Sequence, residues 1–255
     1  MKYSIVNNEK VEAFSGGKGK CICCGADTIA KCGLKKINHW AHKSLKHCDN
    51  WWENETQWHR DWKNHFPFEW QEIVLFDNQT GEKHIADVKT EGGFVIEFQN
   101  SPMNANELKS REKFYKKLVW IINGEKFEKN FHILGKLPVP NLDKFSDIAF
   151  CDSKKGHLGR LYFKYSDDPD WDKTDEVKLL RMYDFSDIEA DVVKYYKGHH
   201  LFDWIRPHPV WFESECDVFI DFGRDVLWKL IQYDKKGLYC VRMIDKQLFI
   251  KRAIG

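Results

Sequence analysis

The segment HIADVKTEGGFVIEFQ, residues 84–99, contains two apolar runs separated by Gly92-Gly93. This pattern predicts two antiparallel strands, His84 to Thr90 and Phe94 to Gln99, joined by a hairpin turn. Asp87 and Glu97 stand ten residues apart across that turn, so both carboxylates can project from the same end of the hairpin. Strand side chains alternate, which puts Glu97 and Gln99 on one face while Val95, Ile96 and Phe98 supply most of the buried bulk. A carboxylate inside an apolar run is costly unless it is paired or bound to metal. Two of them invite a divalent cation, with a structural salt bridge as the competing explanation.

Working outward, Gln71 to Phe76 reads as a third strand, set off by Asn78-Gln79-Thr80-Gly81. Asn104 to Lys117 has helical composition, and Leu118 to Asn123 is an apolar strand ended by Gly124. Upstream, WWENETQWHRDWKNH (Trp51 to His65) has neither Pro nor Gly, which predicts one helix with Asn50 as its N-cap. The element order is therefore α-β-β-β-α-β. On that first helix Glu55, His59 and Lys63 recur at i, i+4 and i+8 and would share a face. Alone they could form an exposed ion-pair ladder; beside the strand carboxylates they read as part of a site. Trp51, Trp58, Trp62 and, less well placed, Trp52 would face the core.

Five of the eight cysteines fall between Cys21 and Cys48, among histidines. In a reducing compartment that clustering reads as metal binding rather than as disulfides. Cys21-Ile22-Cys23-Cys24-Gly25 contains a CxxCG knuckle, whose Gly lets backbone N–H groups point at the sulfurs. The other two ligands must come from Cys32, His39, His42, His47 and Cys48. The preferred set is Cys21, Cys24, His42 and Cys48 around a structural Zn²⁺, with His39 the nearest competitor. Residues 1–49 lack long apolar stretches, so metal would supply much of their folding energy. Seven lysines and one aspartate between Gly16 and Cys48 suit phosphate contacts or a plain solvated surface.

The whole chain has 255 residues, 42 % hydrophobic and 15 % aromatic, with a net charge of +1. That composition excludes disorder as the main state and leaves nucleic-acid binding to local charge. No apolar run is long enough for a membrane span, and the first residues lack a signal-peptide core, so a cytoplasmic protein is expected. Four regions follow: a metal module at 1–49, the α/β core at 50–136, a linker and acidic irregular region at 137–200 (Asp167 to Glu176 most acidic), and a small α+β or β unit at 201–255. The last is rich in aromatics and nearly charge-balanced, with nine basic and eight acidic residues. It suits packing on the core, a protein partner or homo-oligomerisation better than phosphate binding.

HWAH (His39 to His42), Cys48, ETQWHRDWK, HIADV and VIEFQNSPM followed by ELKSREKFY together resemble the competence protein CoiA-like family, over roughly residues 20–124. The central domain of that family is a nuclease-like member of the PD-(D/E)XK superfamily. The resemblance implies a restriction-endonuclease-like α/β core with a mixed sheet and a catalytic Mg²⁺ or Mn²⁺. It makes Asp87 the metal-ligating acid, Glu97 the second acid and Glu55 the third, with His59 and Lys63 beside them. Gln99 falls where many superfamily members carry lysine. A neutral amide steadies negative charge poorly, so Lys63 or His59 would stand in. The function implied is metal-dependent DNA hydrolysis, in DNA uptake, recombination or phage-related defence. The rival reading is a catalytically silent DNA-binding recombination accessory factor.

Overall fold

Asn7 and Asn8 both adopt left-handed backbone, at φ 51° and 68°, a conformation that their short polar side chains tolerate and a two-residue hairpin demands. They join β1 (Tyr3–Val6) to β2 (Glu9–Glu12) in register Val6↔Glu9. The computed structural model describes residues 1–33, 36–44, 48–151, 161–167, 181–234 and 237–255. These form a mixed α+β protein in two units: residues 1–123, 209–218 and 247–255, and residues 124–208 and 219–246.

In the first unit, β1 and β2 join β3 (Lys18–Lys20), β4 (Asp27–Gly33) and β5 (Lys36–His42) in a five-stranded sheet of order β2-β1-β3-β4-β5. A tight loop carrying the cysteine knuckle links β3 to β4. There Cys21 N–H donates to Ala26 O at 2.8 Å, Gly25 N–H donates to Cys21 O at 3.0 Å, and Gly25 takes φ 71°.

Helix α1 spans Gln57–Lys63, a correction to the helix expected from Trp51. Thr56 is the N-cap, and a capping box ties its side chain and N–H to His59. Residues 49–55 are engaged elsewhere. Asp49 accepts the N–H groups of Trp51 and Ile85, Trp51 stacks on His84 at 3.3 Å between ring centres, and Glu53 accepts the Asn100 N–H at 3.1 Å. Of the four tryptophans, Trp62 is buried against Phe98, Trp58 is half-buried with its ring edge-on to Phe98, Trp51 lies outside the helix, and Trp52 is exposed.

Strands β6 (Gln71–Phe76), β7 (Lys83–Lys89) and β8 (Val95–Gln99) form an antiparallel meander. Helix α2 (Ala105–Tyr115), capped by Asn104, crosses over to β9 (Leu118–Asn123), which pairs parallel to β8. The order β9-β8-β7-β6 leaves β8 inside the sheet with all five residues buried.

The metal module does not stand apart from these strands, as the expected boundary at residue 49 would have it. Lys2 and Tyr3 backbone N–H groups donate to Glu72 at 2.7 and 3.0 Å, Lys2 Nζ reaches Asn64 and Gln71, and Tyr3 OH bonds Gln71. These bonds make residues 1–123 one folded body.

In the second unit, β10 (Phe131–Pro138), β11 (Ile148–Phe150), β12 (Leu161–Lys164), β13 (Tyr183–Asp184), α3 (Glu189–Lys194), β14 (Tyr196–Trp204), β15 (Asp217–Asp221), β16 (Val226–Gln232) and β17 (Tyr239–Asp245) follow one another. The sheet order is β10-β14-β17-β16-β15, with β11-β12-β13 as a separate small sheet. Leu137, Phe145, Phe150, Val192, Leu201 and Cys240 lie in its core. The expected linker at 137–200 is thus partly structured. Pro138 ends a strand rather than opening a coil, because β10 pairs with β14. Residues 201–255 are likewise divided between the units, and the run QLFIKRA lies in α4 (Lys246–Ile254). The acidic stretch expected to be a solvated loop lies, beyond Asp167, outside the described residues.

Candidate functional site

The knuckle loop (Cys21 and Cys24), the end of β5 (His42) and Cys48 in the irregular segment before α1 come together, with one ligand atom from each within 4.8 Å of all the others. Cys21 and Cys48 sulfurs are 3.7 Å apart, and Cys24 Sγ lies 3.4 Å from His42 Nε2. A tetrahedral ion with metal–sulfur bonds of about 2.3 Å sets sulfur–sulfur edges near ~3.8 Å. The donor geometry therefore fits one metal ion. Burial pushes the Cys21 thiol up, and burial with the neighbouring Cys21 pushes Cys48 up further. A cation between the sulfurs removes that repulsion by binding thiolates.

Two of the alternatives, His39 and Cys32, stay outside the cluster. His39 and His42 are three residues apart on β5 and face opposite sides. His39 Nδ1 is instead 2.9 Å from Ile37 O, and Cys32 is exposed. His47 lies outside the described residues.

The acid site begins where the β7–β8 ladder opens. Pairing runs Lys89↔Val95 and Val88↔Ile96, which sets Asp87 opposite Glu97. There the carboxylates replace the ladder bonds: Asp87 N–H donates to Glu97 Oε1 at 3.2 Å, and Phe98 N–H donates to Asp87 Oδ2 at 3.0 Å. Across the other edge of β7, Gln71↔Val88 and Ile73↔Ala86 bracket Glu72 opposite Asp87. Three acids thus lie in a row across β6, β7 and β8.

Glu55, His59 and Lys63 face the same cavity, of about 80 Å³, together with Glu53, Glu72 and Arg111. That space holds a few water molecules. Glu55 reaches it from the loop before Thr56, not from the helix, so the expected i, i+4, i+8 ladder is replaced by a loop residue meeting two helix residues. Lys63 Nζ lies 3.0 Å from Asp87 Oδ1, 3.1 Å from Glu72 Oε1 and 3.5 Å from Glu55 Oε1. Burial disfavours that ammonium, but Asp87, Glu55 and Glu72 outweigh it and hold Lys63 protonated. For Glu72, burial is outweighed by Lys63, the N-terminal ammonium and the Lys2 and Tyr3 N–H groups, which hold its carboxyl at about 2. Glu97 goes the other way: burial and the adjacent Asp87 push it up to about 8, although Arg111 NH1 is 3.1 Å away.

Both carboxylate oxygens of Glu55 are buried without a hydrogen-bond partner, and its nearest cations, Lys63 and Arg60, stand at 3.5 and 3.6 Å. With the N-terminal ammonium a third cation at 3.9 Å, this carboxylate is ion-paired but not hydrogen-bonded; lining the same cavity as Asp87 and Glu97, its oxygens are of the kind a hard divalent cation takes.

Gln99 does not line this cavity. Its amide donates to Ser101 O at 3.0 Å and shapes the turn after β8. His59 does line it, with Nδ1 committed to Thr56 and Nε2 3.9 Å from Glu53. Sequence reasoning missed Glu53, Glu72 and Arg111. The only prior signal for Glu72 is an acid opening an apolar strand, and for Arg111 a cation inside α2 one turn after Glu107. No protein-family model matches the chain, and no curated protein or solved structure matches it.

Proposed function

We propose that residues 1–123 form a metal-dependent DNA nuclease whose acidic cavity hydrolyses phosphodiesters, with Zn²⁺ held structurally by Cys21, Cys24, His42 and Cys48. The observation that carries this reading is the buried Glu55 carboxylate, without a hydrogen bond, facing Asp87, Glu97 and Lys63. The α-β-β-β-α-β order with a parallel β8–β9 pair, and acids where the meander opens, supports a PD-(D/E)XK-like core of the kind the CoiA-like resemblance implies.

Glu55, Asp87 and Glu97 would hold Mg²⁺ or Mn²⁺, which when bound supplies Lewis-acid polarisation of the phosphate and an acidified water. Lys63 stands where strand-borne lysine is missing: its ammonium, fixed among acids, is placed to steady charge developing on a phosphate oxygen. Arg111, bonded to Glu97, Glu107 and Trp51 O, keeps the second acid aimed into the cavity. His59 is a positioning residue, since one ring nitrogen caps α1. Exposed Lys18, Lys20 and Lys31 on the N-terminal sheet offer phosphate contacts to the DNA.

One observation favours a second reading, a catalytically silent DNA-binding accessory factor: Gln99 is tied to Ser101 and supplies nothing to the cavity. The deciding experiment is a gel assay of purified protein on single- and double-stranded DNA, and on RNA, with Mg²⁺, Mn²⁺ or EDTA. Nuclease action predicts DNA cleavage that EDTA abolishes and Asp87→Asn removes. Binding without cleavage in every metal supports the silent factor.

A further inference from the structure

Lys63 has three acidic neighbours, and two of them, Glu55 and Asp87, are also the proposed metal ligands. A divalent ion and an ammonium among the same oxygens repel each other. If Lys63 is to serve the reaction, it needs an acid of its own once the ion has taken Glu55 and Asp87.

Glu72 has the properties of that acid. Its Oε1 accepts Lys2 N–H at 2.7 Å and its Oε2 accepts Tyr3 N–H at 3.0 Å. Two backbone donors, Lys2 just before β1 and Tyr3 at its start, therefore fix both oxygens and hold the carboxylate back from the ion. Its Oε1 also takes Lys63 Nζ at 3.1 Å. The backbone of Glu72 is left-handed at φ 45°, an uncommon conformation for a residue with a side chain, and one that surrounding bonds must hold in place. Neither the proposed metal ligand set nor the CoiA-like resemblance gives Glu72 a part.

We infer that Glu72 is the positioning residue that keeps the Lys63 ammonium beside the metal position and out of it, with the first strand of the N-terminal sheet as its anchor. This inference rests on the nuclease reading of the same cavity. It gives the N-terminal sheet a task beyond folding: Tyr3 at the start of β1, with Lys2 before it, sets the place of Lys63 through two hydrogen bonds to Glu72.

The test is a double-mutant cycle on the full-length, zinc-loaded protein, reading Mn²⁺ affinity by titration calorimetry and cleavage rate in parallel. With Lys63 present, Glu72→Gln frees the ammonium to compete for Glu55 and Asp87, so Mn²⁺ binding weakens by about tenfold and kcat falls with KM unchanged. In the Lys63→Met background the same change weakens Mn²⁺ binding by less than about threefold, because the competitor is gone. Equal weakening in both backgrounds overturns the inference, since a structural or long-range role for Glu72 is additive. Should Glu72→Gln lose its fold by thermal unfolding, Glu72→Asp, which keeps the charge but shortens its reach, must show the same Lys63-dependent weakening; an additive result with Asp overturns the inference equally. Mn²⁺ binding that survives Asp87→Asn, or is absent from the wild type, overturns the metal reading itself and the inference with it. Loss of binding in Asp87→Asn together with an additive cycle overturns the role of Glu72 alone.

Discussion

The cysteine cluster and the acid cavity both gather anionic groups, yet they are in opposite condition. At the cluster, four donors stand within 4.8 Å of one another, brought there by a local knuckle, the end of one strand and Cys48 beyond it. At the cavity, the acids already hold charges of their own: Lys63 on Asp87, Glu72 and Glu55, and Arg111 on Glu97 and Glu107. Thiolates that repel one another need a metal to coexist, whereas carboxylates can wait with ammonium and guanidinium partners. The first region therefore suits a resident metal ion that contributes to folding, whereas the second is already balanced by side-chain cations, which the ion of the proposed nuclease would have to displace.

The largest expected effect is on the first side of this contrast. Cys24→Ser or exhaustive chelation removes a ligand set worth on the order of 10 kcal/mol in small metal modules. Zinc content should drop below half an equivalent and the N-terminal sheet should lose hydrogen-exchange protection. Chelation of Mg²⁺ or Mn²⁺ should leave that protection intact. Equal protection with and without zinc would erase the distinction between the two regions.

Next in size is Arg111→Ala. It removes the buried guanidinium and its bonds to Glu97, Glu107 and Trp51 O; because Glu97 is held protonated up to about 8, no buried charge is stranded at neutral pH and the cost is about 1–3 kcal/mol. Urea unfolding should move to lower midpoint by that amount; Arg111→Lys should recover only part of it, because one ammonium cannot reach Glu97, Glu107 and Trp51 O together. An unchanged midpoint would mean the cavity does not depend on its resident cations.

How far the two regions could be read from sequence differs for physical reasons. Gly, Pro and alternation mark β6 to β9 well, since Gly92-Gly93 and Gly124 break the chain where strands end. The knuckle is local, so Cys21 and Cys24 could be paired by spacing; His42 over His39 follows from strand alternation once β5 is known. Residues 51–56 misled because WWENET is compatible with a helix, and only tertiary bonds from Asp49, Trp51 and Glu53 pull it out of one; the Thr56 and His59 capping box is the local signal for the true start. Glu53, Glu72 and Arg111 need the register of strands and the docking of β1, which no spacing in one sequence reveals. The exit of the chain to a second unit after Asn123 was equally hidden, because the pairing of β10 with β14 joins segments far apart.

A smaller effect concerns pH. Burial and Asp87 hold Glu97 up at about 8, so between its ordinary value near 4.5 and about 8 the folded metal-free chain keeps a proton that the unfolded chain has released. The contribution of this group to stability is thus full below about 4.5 and declines as pH rises toward 8. An ion must displace that proton, so Mn²⁺ affinity should rise by up to about tenfold per pH unit from 6 to 8 and then level off. Calorimetry in buffers of different ionisation enthalpy should show the proton released; a flat profile would place Glu97 outside the metal's ligands. The smallest effects are Cys32→Ser and His39→Ala, which should keep full zinc and change stability by less than about 0.5 kcal/mol. Loss of zinc in either would redraw the ligand set.

The most direct measurement is cleavage of single- and double-stranded DNA by wild type and Asp87→Asn at matched zinc content and matched thermal stability, with Mg²⁺ or Mn²⁺ added back after chelation. The cavity described here predicts cleavage by the wild type that returns with the divalent ion, and at least about a thousandfold less by Asp87→Asn. Cleavage of equal rate in both proteins, or none by a folded, zinc-loaded wild type in either ion, would contradict it.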